Sequence, residues 1–301
     1  MKDISQFEEI LSQLSKISPL KMALAIFNDW FFIVLIILVC DNFFSWPLYI
    51  FSALFISTKM HALGVLSHDA VHYRIAPKKI INDLIANLFL CWPLFIKVQG
   101  YRNEHFPHHK YVNSDLDPDL IRKKNHPDWI FPKTKRNLFK IFLFDILGIN
   151  LGQYAKRLKF SLHYQSKKKE APSMQLGRIL FYLIIVSFLQ SQNLWKEFFL
   201  YWIIPYITFF KAIRRIRTLA EHFAIKNGDT RTVLPFFWER LLFSPHSVNF
   251  HAEHHLFPHI PFYNLKKLHK ALMNSPYKDQ LYFTKSYLGV IKEATQFQGV
   301  S

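Results

Sequence analysis

Two apolar runs separated by only two polar residues constrain this chain most. Met22 to Cys40 is apolar apart from Asn28 and Asp29, and beyond Asp41 and Asn42 a second run extends from Phe43 to Thr58. Each run approaches the roughly 20 residues a helix needs to cross a bilayer, and so short a break reads as a tight helical hairpin. Lys21 and Lys59 bracket the pair on one side. A second hairpin is expected where Leu176 to Leu189 leads in, the uncharged Gln190 to Asn193 turns, and Leu194 to Phe210 returns. Arg178 marks its start, and Lys211, Arg214, Arg215 and Arg217 follow its end. Cationic flanks of this kind place both ends of each hairpin on the cytoplasmic face.

The net charge of +17 fits this reading better than nucleic-acid binding. The basic residues sit at the ends of apolar segments, where they orient the chain and meet anionic lipid, and do not form a stripe on a soluble module. Cys40 and Cys91 both lie in apolar runs. Two thiols cannot supply the four ligands of an ordinary iron–sulfur cluster, and no disulfide framework is implied.

The remaining segments are expected to serve a cap. Residues 1–20 carry Ile4, Phe7, Ile10, Leu11, Leu14 and Ile17 at helical spacing, which predicts an amphipathic helix lying on the membrane. Their acidic content argues against a transit peptide, so the chain is expected to begin near Met1. Ile80 to Val98 could be counted as another span. Asn82, Asp83, Asn87 and Pro93 interrupt it, so it is read as interfacial or re-entrant. Residues 110–137 read as a surface loop, 138–165 as amphipathic and 166–173 as a solvated connector. The expected architecture is therefore an all-α integral membrane fold, with four transmembrane helices in two hairpins under a cytoplasmic helical cap. It forms one domain over 1–301: N-terminal helix 1–20, first hairpin 22–58, cap region 61–175, second hairpin 176–210, and a last cytoplasmic region 211–301.

The chemistry lies in the histidines. His68 and His72 stand in HDAVH just beyond the first hairpin; His105, His108 and His109 stand in HFPHH; His251, His254 and His255 stand in HAEHH. Positions three and four apart share a helix face, so each cluster presents its imidazoles side by side. The second hairpin carries AEH, with His222, out of the membrane in the same way. Imidazole ligands suit Zn, Cu, Fe or Ni. Eight or nine are too many for one ion, which favours two metals. A zinc hydrolase and a metal transporter are the competing classes. The ligand excess disfavours the first, and boxes lying outside the spans disfavour the second.

HDAVH, YRNEHFPHHKYVNSDLDPDL, AEH and NFHAEHHLFPHIPFYNLKKLH together resemble the membrane-bound fatty acid desaturases and their hydroxylase and ketolase relatives. The resemblance covers most of the chain. It implies a di-iron centre of two Fe2+ ions held by His68, His72, His105, His108, His109, His251, His254 and His255, with His222 as ninth ligand. In acyl-CoA desaturases that last histidine follows an Asn by four positions; here the position is Thr218, so Asn249 or a water is left to complete the shell. The resemblance also implies an oxygen-dependent reaction in which O2 is the co-substrate and a lipid or acyl chain is desaturated or hydroxylated. No G-x-G or cytochrome b5 domain is apparent, so electrons are expected from a ferredoxin or cytochrome b5 type donor. The setting is a bacterial inner membrane or the endoplasmic reticulum.

Asp69, Glu104, Glu221 and Glu253 adjoin the histidines. Each either orients an imidazole of another box or pairs with a surface cation. His61, His126, His163, His246, His259 and His269 fall outside the motif positions and are expected in surface or packing roles.

Overall fold

The structure, a computed structural model, describes residues 2–149, 152, 170–225 and 230–296. His163 and part of the expected 138–173 stretch lie outside them. Among the described residues, three helices are long and apolar enough to cross a membrane: α2 (Pro19–Asn42), α3 (Trp46–Val71) and α8 (Pro172–Ser191). Pro at the first turn of each suits it to open a helix, because its missing N–H has no partner to serve there. Leu176, Leu180, Leu183 and Ile184 of α8 are exposed, as are Leu24, Phe27 and Phe31 of α2. Such surfaces suit contact with lipid. By contrast α3 is a buried spine: Ile56, Met60, Leu63 and Leu66 are wholly enclosed, and it continues past its apolar run to carry His68.

The expected returning arm of the second hairpin differs from the other three. Residues 195–207 are helical but contain a π segment, Phe199–Ile203, between α9 (Trp195–Phe198) and α10 (Ile204–Ile207). Pro205 cannot donate to the carbonyl of residue 201, and a π turn is a common way to absorb such an insult. A second break follows at Thr208, after which α11 (Phe209–His222) begins.

The Ile80 to Val98 run is bent, not a straight crossing. Helix α4 (Lys79–Ala86) passes through a π turn and a 3-10 turn, and α5 (Val98–Tyr111) leaves at 91°. Each interrupting residue has work at the bend. Pro93 cannot donate to the carbonyl of Phe89, which accepts instead from Trp30 Nε1 at 2.9 Å. Tyr182, Trp202 and Tyr206 donate to the carbonyls of Trp92, Pro93 and Leu94 at 2.9, 2.9 and 3.1 Å. Asn87 accepts from the N–H of Val98 at 3.2 Å. Unsatisfied backbone at this depth would cost several kcal/mol per group (~2–7). These side chains remove that cost and bring the first two boxes to one place.

One expectation is corrected. The fold is mostly helical, but β1 (Arg231–Leu234) and β2 (Tyr282–Lys285) form a short parallel pair, so it is not strictly all-α. Their Thr, Val, Tyr and Phe residues favour strand, and the pairing is between segments far apart in sequence. Helix α1 (Lys2–Leu14) forms, and Phe7, Ile10, Leu11 and Leu14 of its apolar face pack against Phe257, Leu265 and Leu268. Asn264 Nδ2 donates to the Leu14 carbonyl at 2.7 Å and fixes the contact with α14 (Phe262–Leu272).

Candidate metal centre

Four ligand-bearing helices end at one point. The end of α3 brings His68 and His72, α5 brings His105, His108 and His109, and α11 ends on His222. The short α13 (His251–Leu256) brings His251, His254 and His255. All nine sequence-singled histidines fall into two groups, each with its ligand atoms within 4.8 Å of one another. One group is His68, His72, His105, His109 and His254; the other is His108, His222, His251 and His255. Neighbours on a helix point about 100° apart, which sends His108 and His109, and likewise His254 and His255, to different groups. The groups share a wall where the rings of His109 and His255 stack at 4.1 Å.

The donor set fits two cations. Nε2 atoms face one another in series, His72 to His105 at 2.9 Å, His105 to His109 at 2.9 Å and His109 to His254 at 3.1 Å. In the second group His222 faces His108 at 3.2 Å and His251 at 2.8 Å. A neutral imidazole carries one N–H and one lone pair, so such a series cannot satisfy every nitrogen by hydrogen bonding alone. His68 Nε2 and His255 Nε2, one from each group, are buried with no hydrogen-bond partner among the described residues. A cation in each group accepts all of these lone pairs at once.

Burial, reinforced by the neighbouring histidines, holds His105, His251, His254 and His255 well below the ordinary imidazole range. Burial also lowers His109, to about 3. These rings are neutral at pH 7, the state a metal needs. The sign for stability follows. A histidine whose folded pKa lies below its unfolded value binds more protons when unfolded, so the folded state is progressively destabilised as pH falls below about 6.5. Metal-stripped protein should therefore unfold at lower temperature at pH 5 than at pH 7.5, with each such residue costing about 1.4 kcal/mol per pH unit. Detergent thermal melts check this, and an unchanged midpoint would contradict it.

Carboxylates tie ligands from behind. His108 Nδ1 lies 2.9 Å from Asp117 Oδ1, and Asp117 is almost wholly buried. This residue was not singled out by sequence. Its signal was its place as helix N-cap in DLDPDL, eight residues past His109, within a run that reads as surface loop. Of the four acidic neighbours, Glu221 faces a cluster histidine: its Oε1 is 3.5 Å from His251 Nδ1 and 2.6 Å from Arg217 Nε. Burial raises its carboxyl while Arg217 opposes the shift. Asp69 accepts from the Phe262 N–H at 2.9 Å, Glu104 pairs with Arg122 at 2.9 Å, and Glu253 pairs with His269 at 2.6 Å. Asn249 donates from Nδ2 to the Val233 carbonyl at 3.0 Å, a clamp on β1.

Of the other histidines, His246 lies 2.6 Å from Asp29, which also meets Lys59 at 3.0 Å. His61 is buried with neither ring nitrogen partnered, His126 accepts at a helix N-cap, and His259 is exposed. A small recess lined by Val65, Asp69, His246, Val248, Phe250, Phe262 and Leu265 ends on His68, His251 and His254. It touches both groups, His68 and His254 of the first and His251 of the second.

Comparison with known proteins agrees with this geometry. The sequence matches the fatty acid desaturase family over residues 44–287. It is 31% identical over 246 residues to a dihydrorhizobitoxine desaturase of Bradyrhizobium elkanii, covering 77% of this chain and 70% of that one. It is 25% identical over 273 residues to an sn-1 acyl-lipid omega-3 desaturase (ferredoxin) of a Nostoc species, covering 82% and 73%. A ceramide hydroxylase of Caulobacter vibrioides is 29% identical over 90 residues, 27% of this chain and 26% of that one. With its nine histidines gathered and most of its length matched, the chain belongs to the membrane fatty acid desaturase family.

Proposed function

We propose that this protein is an oxygen-dependent lipid or acyl-chain desaturase working at two histidine-held irons. The observation that carries the reading is the pair of imidazole groups gathered from four helix ends in a chain of the desaturase family. His68, His72, His105, His109 and His254 would hold one ion and His108, His222, His251 and His255 the other. Bound iron supplies the reduction of O2 to water coupled to removal of hydrogen from an unactivated carbon. The balance is one O2, two electrons and two protons consumed, two hydrogens taken from adjacent carbons, and two waters and a C=C bond formed. Val65, Val248, Phe250 and Phe262 position the chain and keep bulk water from the reacting carbon. Asp117 and Glu221 hold His108 and His251 with Nε2 turned toward the metal.

Electrons come from outside, and a cationic surface suits an acidic ferredoxin or cytochrome b5. The Nostoc relative is named for ferredoxin. The helices α2, α3 and α8, with the 195–210 arm, would form a multi-pass membrane unit, with the metal centre on the cytoplasmic side. Hydroxylation on the same scaffold is the second reading, favoured by the likeness to a ceramide hydroxylase.

Membranes expressing the chain, supplied with a reducing system, should carry new unsaturated lipid under air and none without oxygen, with about two irons per chain. A hydroxylated product moves the assignment to the second reading. Zinc in place of iron, with no oxidised lipid, would overturn both.

A further inference from the structure

Two arginines occupy matching places in the two halves of the centre. Arg102 is buried on α5 and reaches the end of α3, where Nε donates to the Val71 carbonyl at 3.0 Å and Nη2 to the Ala70 carbonyl at 3.2 Å. Its other side is gripped by Asp83, at 2.8 and 3.0 Å, and its plane lies 3.9 Å over the Tyr73 ring. Asn82 donates to the same Ala70 carbonyl at 2.9 Å. Arg231, fully buried on β1, does the same for α11: Nη1 donates to the Ala220 carbonyl at 3.2 Å, and Nη2 to the Ala224 carbonyl at 2.7 Å and to Glu293 at 2.9 Å.

The last carbonyls of a helix have no partner within it, and a planar guanidinium can take several at once. The ligands lie just where this matters. His72 is the C-cap residue of α3, and His222 is the last residue of α11. Helix hydrogen bonding alone does not hold a ring at a fraying end. What the two arginines reach also differs. Arg102 ties the end of α3, with His68 and His72, to α5, with His105 and His109, which makes four of the five ligands of one group. Arg231 ties the end of α11, with His222, to β1, whose Val233 is bonded to Asn249 just before His251. His222 and His251 both belong to the other group.

We propose that Arg102 and Arg231 are positioning residues, each setting the geometry of one histidine group and therefore the occupancy of one metal. This rests on the two-iron reading above. The test uses full-length protein in detergent, loaded anaerobically with ferrous iron alone, with iron per chain, thermal midpoint and dispersity measured together. His72→Ala and His222→Ala serve as references for the two groups.

Wild type should hold about two irons. Arg102→Gln should hold about one; adding His72→Ala should remove no more, and adding His222→Ala should remove the rest. Arg231→Gln should show the reverse. Arg102→Gln/Asp83→Asn, which leaves the partly buried Asp83 site without an unpaired carboxylate, keeps the experiment decisive if the single variant folds poorly, and should also hold one. Arg102→Lys keeps the charge but cannot span both carbonyls and Asp83, so it should resemble Arg102→Gln. Two irons retained in folded Arg102 variants, or equal loss from both groups, would overturn the proposal. Wild type without iron would overturn the metal reading beneath it, which is a separate result.

Discussion

Replacing His254 and His255 together by alanine should reduce iron per chain from about two to near zero and lower oxygen-dependent product formation by more than ~100-fold, beyond the loss usual for a mere supporting group. The two residues are adjacent in sequence, yet His254 completes the five-membered group and His255 the four-membered group. One double substitution therefore opens both sites. Neither ring holds the fold together by a bond the cluster cannot spare: among the described residues His255 Nε2 has no hydrogen-bond partner, and His254 Nε2 meets His109. Removing them should leave the thermal midpoint of metal-stripped protein unchanged or raised, because crowded buried imidazoles oppose folding when they must protonate or lose water. Elemental analysis, melting and lipid mass spectrometry on the same preparation check all three parts. His259→Ala, at an exposed position outside both groups, is the matched control and should keep iron and product. Retained turnover in the double variant would place the chemistry elsewhere.

The centre was legible in sequence because each histidine cluster is local. Spacings of three and four on a helix fix which rings can meet, and the three boxes plus AEH gave all nine members of the two groups. Long apolar runs made α2, α3 and α8 readable for the same reason. What was not legible depends on partners distant in the chain. The bend after Asn87 needs Trp30, Tyr182, Trp202 and Tyr206 from other segments, and nothing in their own surroundings marks them as donors to that backbone. The fate of the four acidic neighbours could not be decided either. Glu221 and Glu253 both precede histidines, but only the fold shows that the first faces His251 of the cluster and the second faces His269 outside it. The apolar face of α1 reads the same whether it meets lipid or Phe257 and Leu265.

Asp117 shows how far a residue without a metal-ligand signature can matter. Its Oδ1 faces His108 Nδ1 at 2.9 Å and accepts from the Asp119 N–H at 2.8 Å, and its Oδ2 accepts from the Asn113 N–H at 3.0 Å. An acceptor at Nδ1 fixes the proton there, which leaves the Nε2 lone pair for a metal and raises its basicity. His108 is the one ligand that α5 gives to the four-membered group, so its ring has no companion on that helix to hold a metal if it turns. Asp117→Ala should therefore lower turnover, and the iron affinity of the four-membered group alone, about 10–100-fold. Asp117→Asn should fall between, because its amide oxygen can still take the Nδ1 proton while its NH2 must then face the Asn113 N–H, donor against donor. The order wild type, Asn, Ala in iron retention distinguishes this from simple loss of the cap on the following helix. An asparagine side chain caps helices about as well as aspartate, so loss of the cap alone predicts Asn equal to wild type. Turnover and iron retention measured across the three proteins decide between the two, and an Ala variant that keeps wild-type iron and turnover would remove Asp117 from the working centre.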